Sequence, residues 1–201
     1  MKQLQNSNIS SQKVTSMQRL IISTFACFML CYSLNQGVSS VDNQYIPADY
    51  VVIADQITDE VAAKLSKQYN MKLIGSTGGM AGCVNVIGLS FQIRGPLNQE
   101  TLRKILVGCV EEFLTPINAN ERLRPFLKNY PFTSHEIEIE IFVVDARGEE
   151  IHDPEIGIAT AKHGGLRYHT VTEEPGYLFG YKTTMKEDYN AALKIVKGSQ
   201  P

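Results

Sequence analysis

Three glutamates at alternate positions are the residues whose spacing in this sequence most directly suggests chemistry. Glu136, Glu138 and Glu140 alternate with isoleucines, so a β-strand would put all three carboxylates on one face, about 7 Å apart. Paired carboxylates carry out acid/base catalysis and bind hard divalent cations. The alternative, which the pattern favours, is a solvated sheet face whose carboxylates are neutralised by bases on neighbouring strands. The bases available for this are Lys162, Arg167 and Lys182.

The histidines offer a weaker indication of a metal site. His163 and His169 are close in sequence, and Gly164-Gly165 between them predicts a two-residue hairpin turn. That register puts the two imidazoles on opposite faces of the hairpin, so they cannot share one ion. No set of histidines and cysteines has zinc-site spacing. We therefore expect neither a metal nor another cofactor.

A glycine-rich segment, 75–82, has the composition of a phosphate-binding loop, because closely spaced glycines let backbone N–H groups approach an anion. The details differ from the known patterns. The P-loop requires Lys-Ser/Thr after its last glycine, and the dinucleotide-binding pattern requires a helix, whereas Val84 to Arg94 is typical of a strand. The segment is predicted to be a flexible connection between strands.

Cys83 and Cys109 are the cysteines that remain if the N-terminal segment is removed. In an exported protein they are candidates for a disulfide. However, Cys109 falls on the buried stripe of a predicted helix, where a free cysteine behaves as a small hydrophobic residue. The sequence favours two free thiols and leaves the disulfide as the alternative.

The most distinctive stretch is 111–132, which reads EEFLTPINANERLRPFLKNYPF. It resembles a stretch of small exported bacterial proteins in which an EEFL…IN.NE.LRP…NYPF pattern precedes an alternating strand. The resemblance covers about twenty-two residues, and it implies export but no activity or site residue. One interpretation is a helix–turn–helix whose polar groups cap helix ends. The other is an interaction surface built on Arg122, Arg124 and Tyr130.

These residues are positioned by a predicted single α+β domain, residues 41–201. Its helices are predicted from Thr58 to Asn70, up to Pro116, after Asn118, and at the C-terminus up to Gly198. Its strands are predicted over 71–75, 84–94, 135–145, 156–171 as a hairpin, and 177–183. The strand at 135–145 has one apolar and one polar side. This favours a two-layer fold with a mostly antiparallel sheet and helices packed on one face.

The N-terminus predicts an export signal. Leu20 to Leu34 is an uncharged, apolar run of fifteen residues that directly follows Arg19. A membrane-spanning helix needs about 20 apolar residues, whereas the core of a signal peptide is shorter. We expect residues 1–40 to be the export signal, with translation starting at Met17 and cleavage after Ser40. The alternatives are a membrane anchor through residues 20–34 and lipidation at Cys27.

Composition limits the function classes. A hydrophobic content of 43% and a charged content of 20% are typical of a globular protein. Removing residues 1–40 takes away three basic residues and no acid, so the rest is more acidic than the formal charge of −2 indicates. No basic stripe is available for phosphates, so nucleic acid is not an expected partner, and membrane contact is expected only through the export signal.

The expected function is that of a non-catalytic binding domain in the periplasm, the envelope or the secreted fraction. Its partner would be a protein or an envelope component that the sequence does not identify. Two alternatives are a small carboxylate-dependent or metal-dependent hydrolase and a secreted protein that acts on a host or neighbouring cell.

Overall fold

A computed structural model describes residues 48–198 of the chain. The helices are α1 (Asp49–Tyr69), α2 (Gln99–Ala119) and α3 (Tyr189–Gly198). The strands are β1 (Lys72–Gly79), β2 (Val86–Arg94), β3 (Ile137–Val144), β4 (Ile156–Lys162), β5 (Gly165–Val171) and β6 (Tyr181–Asp188). Two short 3-10 turns, Arg124–Phe126 and Leu178–Gly180, lie in the connections. The predicted export signal, with its alternatives at residues 20–34 and Cys27, lies outside the described residues.

The six strands form one sheet in the order β1-β2-β3-β4-β5-β6. Every neighbouring pair is antiparallel except β2 and β3, which run parallel with Leu89 opposite Ile139. Parallel strands need a crossover connection, and α2 lies in that connection. The predicted class, a two-layer α+β fold with a mostly antiparallel sheet, is confirmed.

The helices cover one face of the sheet and create the core there. α1 packs on β1 and β2, α2 packs chiefly on β3 and β4, and α3 packs on β5 and β6. The covered face of β3 presents Ile137, Ile139 and Ile141, all fully buried. Burying such a side chain stabilises the fold by about 1.5–3 kcal/mol. Among the described residues, no helix covers the other face, which we call the open face.

A mostly buried ion pair connects α2 to the edge strand β6. The Nε of Arg103 lies 2.8 and 2.9 Å from the two carboxylate oxygens of Glu187. Only 16% and 13% of these side chains are exposed. The Tyr168 hydroxyl donates to the same carboxylate at 3.1 Å. Burial, followed by the charge of Glu187, raises the pKa of Tyr168 well above its ordinary value.

Two predicted helix boundaries are wrong. α1 begins at Asp49 rather than Thr58, because Ile53 and Ile57 extend its buried stripe towards the N-terminus. Thr58 is not a cap: its hydroxyl donates to the carbonyl of Ala54 one turn earlier, at 2.8 Å.

α2 does not stop at Pro116 but continues to Ala119. A proline inside a helix removes a backbone hydrogen bond at a cost of about 3 kcal/mol. Ile117, one residue further on, is fully buried, so core packing holds the last turn. The predicted second helix after Asn118 is reduced to the 3-10 turn Arg124–Phe126.

The glycine-rich segment is mostly strand rather than loop, since β1 continues to Gly79 and pairs with β2 up to Val86. Gly88, on the partner strand β2, allows these backbones to approach closely. A Cβ on Gly88 would lie 2.5 Å from the carbonyl oxygen of Glu138 and 2.6 Å from the Thr77 methyl group. The connection between the strands is shorter than predicted and comprises only the residues between Gly79 and Val86.

The predicted β4–β5 hairpin exists, but its turn is His163-Gly164 rather than Gly164-Gly165. Both turn residues have positive φ, 52° and 73°, as a type I′ turn requires. Such a one-residue shift moves every side chain of the following strand to the other face. The predicted register is therefore wrong, and His163 lies in the turn itself rather than at a paired position of the hairpin. The last strand is also displaced, from the predicted 177–183 to Tyr181–Asp188.

Among residues 48–198, no helix combines the length and the apolar character needed to cross a membrane.

Candidate functional site

The open face changes from charged to apolar along the strands. Residues paired across neighbouring strands form rows that cross the sheet. One row contains Glu138, and the next contains Glu140 opposite Thr160. The next row, one step nearer the C-terminal ends of β2 and β3, is mainly apolar or uncharged. It consists of Gln92, Phe142, Ile158, His169 and Thr184.

Glu138 and Glu140 do project from the open face, but they are already engaged. The Lys162 ammonium lies 3.9 Å from Glu138 and 3.8 Å from Glu140. His163 contributes a nitrogen 3.7 Å from Glu138, and the Ser90 hydroxyl donates to Glu140 at 3.5 Å. This is the arrangement that the solvated-face interpretation predicts, with Lys162 as the bridging cation.

Glu136 does not join Glu138 and Glu140 on the open face, because it precedes β3 and is buried. Its carboxylate accepts hydrogen bonds from the Asn129 amide at 2.8 Å and from the Thr133 backbone N–H and hydroxyl at 2.9 Å. Burial alone would raise the pKa of Glu136, but these hydrogen bonds outweigh it and hold the pKa below its ordinary value. Glu136 therefore stabilises the loop before β3 as an anion.

The histidines do not converge. His163 lies in the hairpin turn, whereas the buried His169 stacks on Tyr181 with ring centroids 4.0 Å apart. A nitrogen of His169 lies 2.9 Å from the Thr184 hydroxyl. Within residues 48–198 no group of three or more His, Cys, Asp or Glu side chains is arranged to hold a metal ion.

Cys83 and Cys109 are free thiols, so this structure does not contain the disulfide that was the alternative prediction. Cys109 is fully buried on the stripe of α2, and burial raises the pKa of its thiol well above the ordinary value. Cys83 is partly exposed, and its sulfur contacts the side-chain oxygen of Asn85 at 3.6 Å.

A mostly exposed cluster lies at the N-terminal end of β2, and it includes the predicted interaction residues. We call it the aromatic–arginine patch; it comprises Tyr50, Arg122, Arg124, Phe126 and Tyr130. Tyr50 and Phe126 stack with ring centroids 4.8 Å apart and planes 15° from parallel. The guanidinium of Arg124 lies 4.8 Å from the centre of the Tyr130 ring.

Backbone contacts fix the chain on which the patch is built. The backbone of Phe126 accepts from Val84 at 2.7 Å, and Lys128 donates back to Val84 at 2.9 Å, next to β2. Leu123 and Leu127 are buried on either side of the 3-10 turn. The exposed rings therefore stand on a segment that is attached to the sheet.

Asn118 holds the other side of the same segment. Its side chain accepts from the Phe132 backbone N–H at 2.8 Å and donates to the Phe132 carbonyl at 3.0 Å. The Tyr130 hydroxyl donates to the carbonyl of Asn118 at 3.5 Å. The prediction that Asn118 caps a second helix is thus wrong, since Asn118 connects two loop segments. The side chain of Asn120 instead accepts from the Leu123 backbone N–H at 2.9 Å.

Three of the five patch residues are predicted from the sequence, whereas Tyr50 and Phe126 are not. Phe126 lies in the region predicted as a helix after Asn118, but the 3-10 turn there leaves it exposed. Tyr50 precedes the first predicted helix, and only the packing of α1 against the loop after α2 brings it close. No local pattern carries that information.

Comparison of the chain with protein-family models, with curated proteins and with solved structures found no significant match.

Proposed function

We propose that this chain is an exported, non-catalytic interaction protein that binds an acidic segment of a protein partner through the aromatic–arginine patch. The observation that carries the proposal is the exposed Arg124–Tyr130 pair, with the partly buried Tyr50 stacked on the exposed Phe126, on a segment fixed by backbone hydrogen bonds. Export itself rests on the sequence of residues 1–40.

The residue types and their fixed positions support binding. Tyr, Phe and Arg are enriched at protein–protein interfaces and dominate their hot spots. A side chain that is already held in place loses less conformational entropy on binding than a free one. In the patch, Tyr50 is held by its hydroxyl on the Met80 carbonyl, at 2.8 Å, as well as by its stack on Phe126.

Charge indicates the chemistry of the partner. The segment 121–130 carries Arg122, Arg124 and Lys128 against a single carboxylate, Glu121. Among the described residues, none of these four side chains takes part in an ion pair. A basic, aromatic surface on an otherwise acidic protein is complementary to Asp and Glu.

The hydrolase alternative has weaker support. Glu138 and Glu140 share Lys162, and Glu136 is held by Asn129 and Thr133. A carboxylate pair that acts on a substrate needs room for a water molecule or a sugar between its members, and here the Lys162 ammonium is close to both carboxylates.

Photocrosslinking in cells that make the protein tests the proposal. Benzoylphenylalanine in place of Tyr130 should give a discrete crosslinked species, and mass spectrometry should locate the crosslink in an acidic segment of the partner. The charge reversal Arg124→Glu should reduce its yield about tenfold or more, since it repels the acidic segment.

The matched control places benzoylphenylalanine at Met185, an exposed apolar residue on the edge strand β6. The proposal is wrong if no discrete species forms at position 130, if the same species forms at position 185, if the crosslinked segment is basic or neutral, or if Arg124→Glu leaves the yield unchanged.

A further inference from the structure

Two adjoining cavities lie at the opposite end of the sheet, where β2 and β3 end. One has a volume of about 420 Å³ and the other about 460 Å³. They share Gln92, Val144 and Gly148 in their linings. Each volume is within the usual range for small-molecule sites, roughly 300–1,000 Å³. Because the cavities share these lining residues, they lie side by side.

The first cavity has an apolar floor and several polar groups around it. Phe142 and Ile158, paired across β3 and β4 on the open face, form this floor. Ile74, Ile151 and Val171 add further apolar walls. The polar groups in its lining include Glu150 and Glu173, so its outer part does not favour an anion. An uncharged aliphatic chain fits this half.

The second cavity is basic. Lys72, Arg94 and Arg147 line it, and no Asp or Glu does. Arg147 is already paired with Asp145 at 3.3 Å and with Glu149 at 2.7 Å. Lys72 and Arg94 take part in no ion pair among the described residues. Arg94 is oriented by a hydrogen bond from its guanidinium to the carbonyl of Ala146. Two cations without acidic partners therefore stand beside the apolar cavity.

Exposed apolar side chains lie at the mouth of the apolar cavity. The loop before β6 leaves Leu178 76% exposed and Phe179 80% exposed, and Phe179 also lines the cavity. The backbone of Phe179 has φ 58°, a left-handed conformation that residues other than glycine rarely adopt. The loop is closed by a hydrogen bond from Thr172 to the Gly180 carbonyl at 2.8 Å. Adjacent exposed apolar side chains at a cavity mouth can extend the apolar surface that a ligand contacts.

We propose that the two cavities form one site for a single-chain amphipathic anion, with its aliphatic chain on Phe142 and Ile158 and its anionic head group on Lys72 and Arg94. Charge decides the polarity of the ligand: the apolar half contains both of the carboxylates that line the cleft, and the free cations are all in the other half. Removal of the aliphatic chain from water supplies the driving force for binding in this half. This site is separate from the aromatic–arginine patch, so either proposal can fail without the other.

Isothermal titration with dodecanoate below its micelle concentration tests the site. One molecule of dodecanoate should bind per chain, and dodecyl phosphate should show whether a phosphate head group serves as well as a carboxylate. Removing both cations in Lys72→Gln/Arg94→Gln should weaken dodecanoate binding about tenfold or more. The control Lys186→Gln/Lys194→Gln, which removes the same charge from exposed positions outside the cleft, should leave it unchanged.

Dodecyltrimethylammonium, which has the same chain but the opposite charge, should bind at least about tenfold more weakly than dodecanoate. The proposal is overturned if dodecanoate does not bind, if the cationic detergent binds as tightly, or if the two double variants weaken dodecanoate equally. A circular-dichroism spectrum and a thermal melt of each variant establish that it is folded before its affinity is compared.

Discussion

The two faces of the sheet use the same strands for different purposes. On the covered face, β3 presents Ile139 and Ile141, fully buried beneath the helices. On the open face, the same strand presents Glu138, Glu140 and Phe142, which are only partly buried. The apolar core therefore lies on one side, whereas the open side combines charged, uncharged polar and apolar side chains. This difference supports placing the two proposed binding sites away from the covered face.

The polar groups of the two faces differ in the same way. The covered side contains the ion pair of Arg103 and Glu187, which is mostly buried and joined by the Tyr168 hydroxyl. On the open side, Lys162 is shared between two carboxylates at nearly 4 Å, and all three side chains reach solvent. Removing a partner from the first group should be costly, but removing one from the second should not.

The largest expected effect in this comparison is that of Arg103→Met. It leaves the Glu187 carboxylate mostly buried without its cation, so we expect the free energy of unfolding to fall by about 3 kcal/mol. Chemical denaturation followed by circular dichroism measures this. The neighbouring change Lys104→Met removes an exposed i,i+4 pair with Glu100 and should have no measurable effect. Equal losses in the two variants would contradict the expectation that burial decides the cost of losing an ion pair.

A smaller effect is expected from His169, the buried histidine of the open face. Burial, assisted by the charge of Arg167, lowers its pKa below the ordinary value of about 6.5. The unfolded chain therefore binds a proton more readily than the folded one. The contribution of neutral His169 is fully present above about pH 6.5 and is lost as the pH falls from there through the lower pKa of the folded state.

The measurement is the urea midpoint at several pH values between 5 and 8. The parent protein should lose stability towards pH 5, and His169→Gln should show a flatter dependence because its side chain does not titrate. An unchanged slope in the variant would show that His169 is not the group responsible.

Much of the fold is predictable because it depends on local periodicity. The stripe of α2 and the alternation in β3 each indicate which side of the element is buried, and from these the class and the single covered face follow. The errors occur where tertiary packing overrides a local signal. The last turn of α2 survives Pro116 because Ile117 is buried, and the hairpin turn lies at His163-Gly164, where the His135 side chain leaves no room for a Cβ on Gly164.

The candidate sites were less predictable, since they combine residues that are distant in sequence. Arg124 and Tyr130 lie in one distinctive stretch, but Tyr50 joins them only through the packing of α1. Lys72 and Arg94 come together because β1 and β2 are antiparallel neighbours, with Lys72 opposite Gln92. Neither a motif nor a charge run marks them, because each is a single basic residue at the end of a strand.

The central claim, that stability belongs to the covered face and binding to the open face, is tested most directly by one substitution made on each side. Ile141 and Ile158 lie on neighbouring strands and face opposite sides of the sheet. Ile141→Thr buries a hydroxyl and should lower the free energy of unfolding by about 2 kcal/mol, without changing the dodecanoate affinity of the folded protein. Ile158→Thr should cost less than about 0.5 kcal/mol of stability.

The same Ile158→Thr variant should weaken dodecanoate binding about fourfold, since one apolar contact in the cleft is lost. If the account is right, unfolding and titration therefore show that Ile141→Thr loses mainly stability and Ile158→Thr loses mainly dodecanoate affinity. Equal losses of stability in the two variants, together with an unchanged dodecanoate affinity in Ile158→Thr, would contradict it.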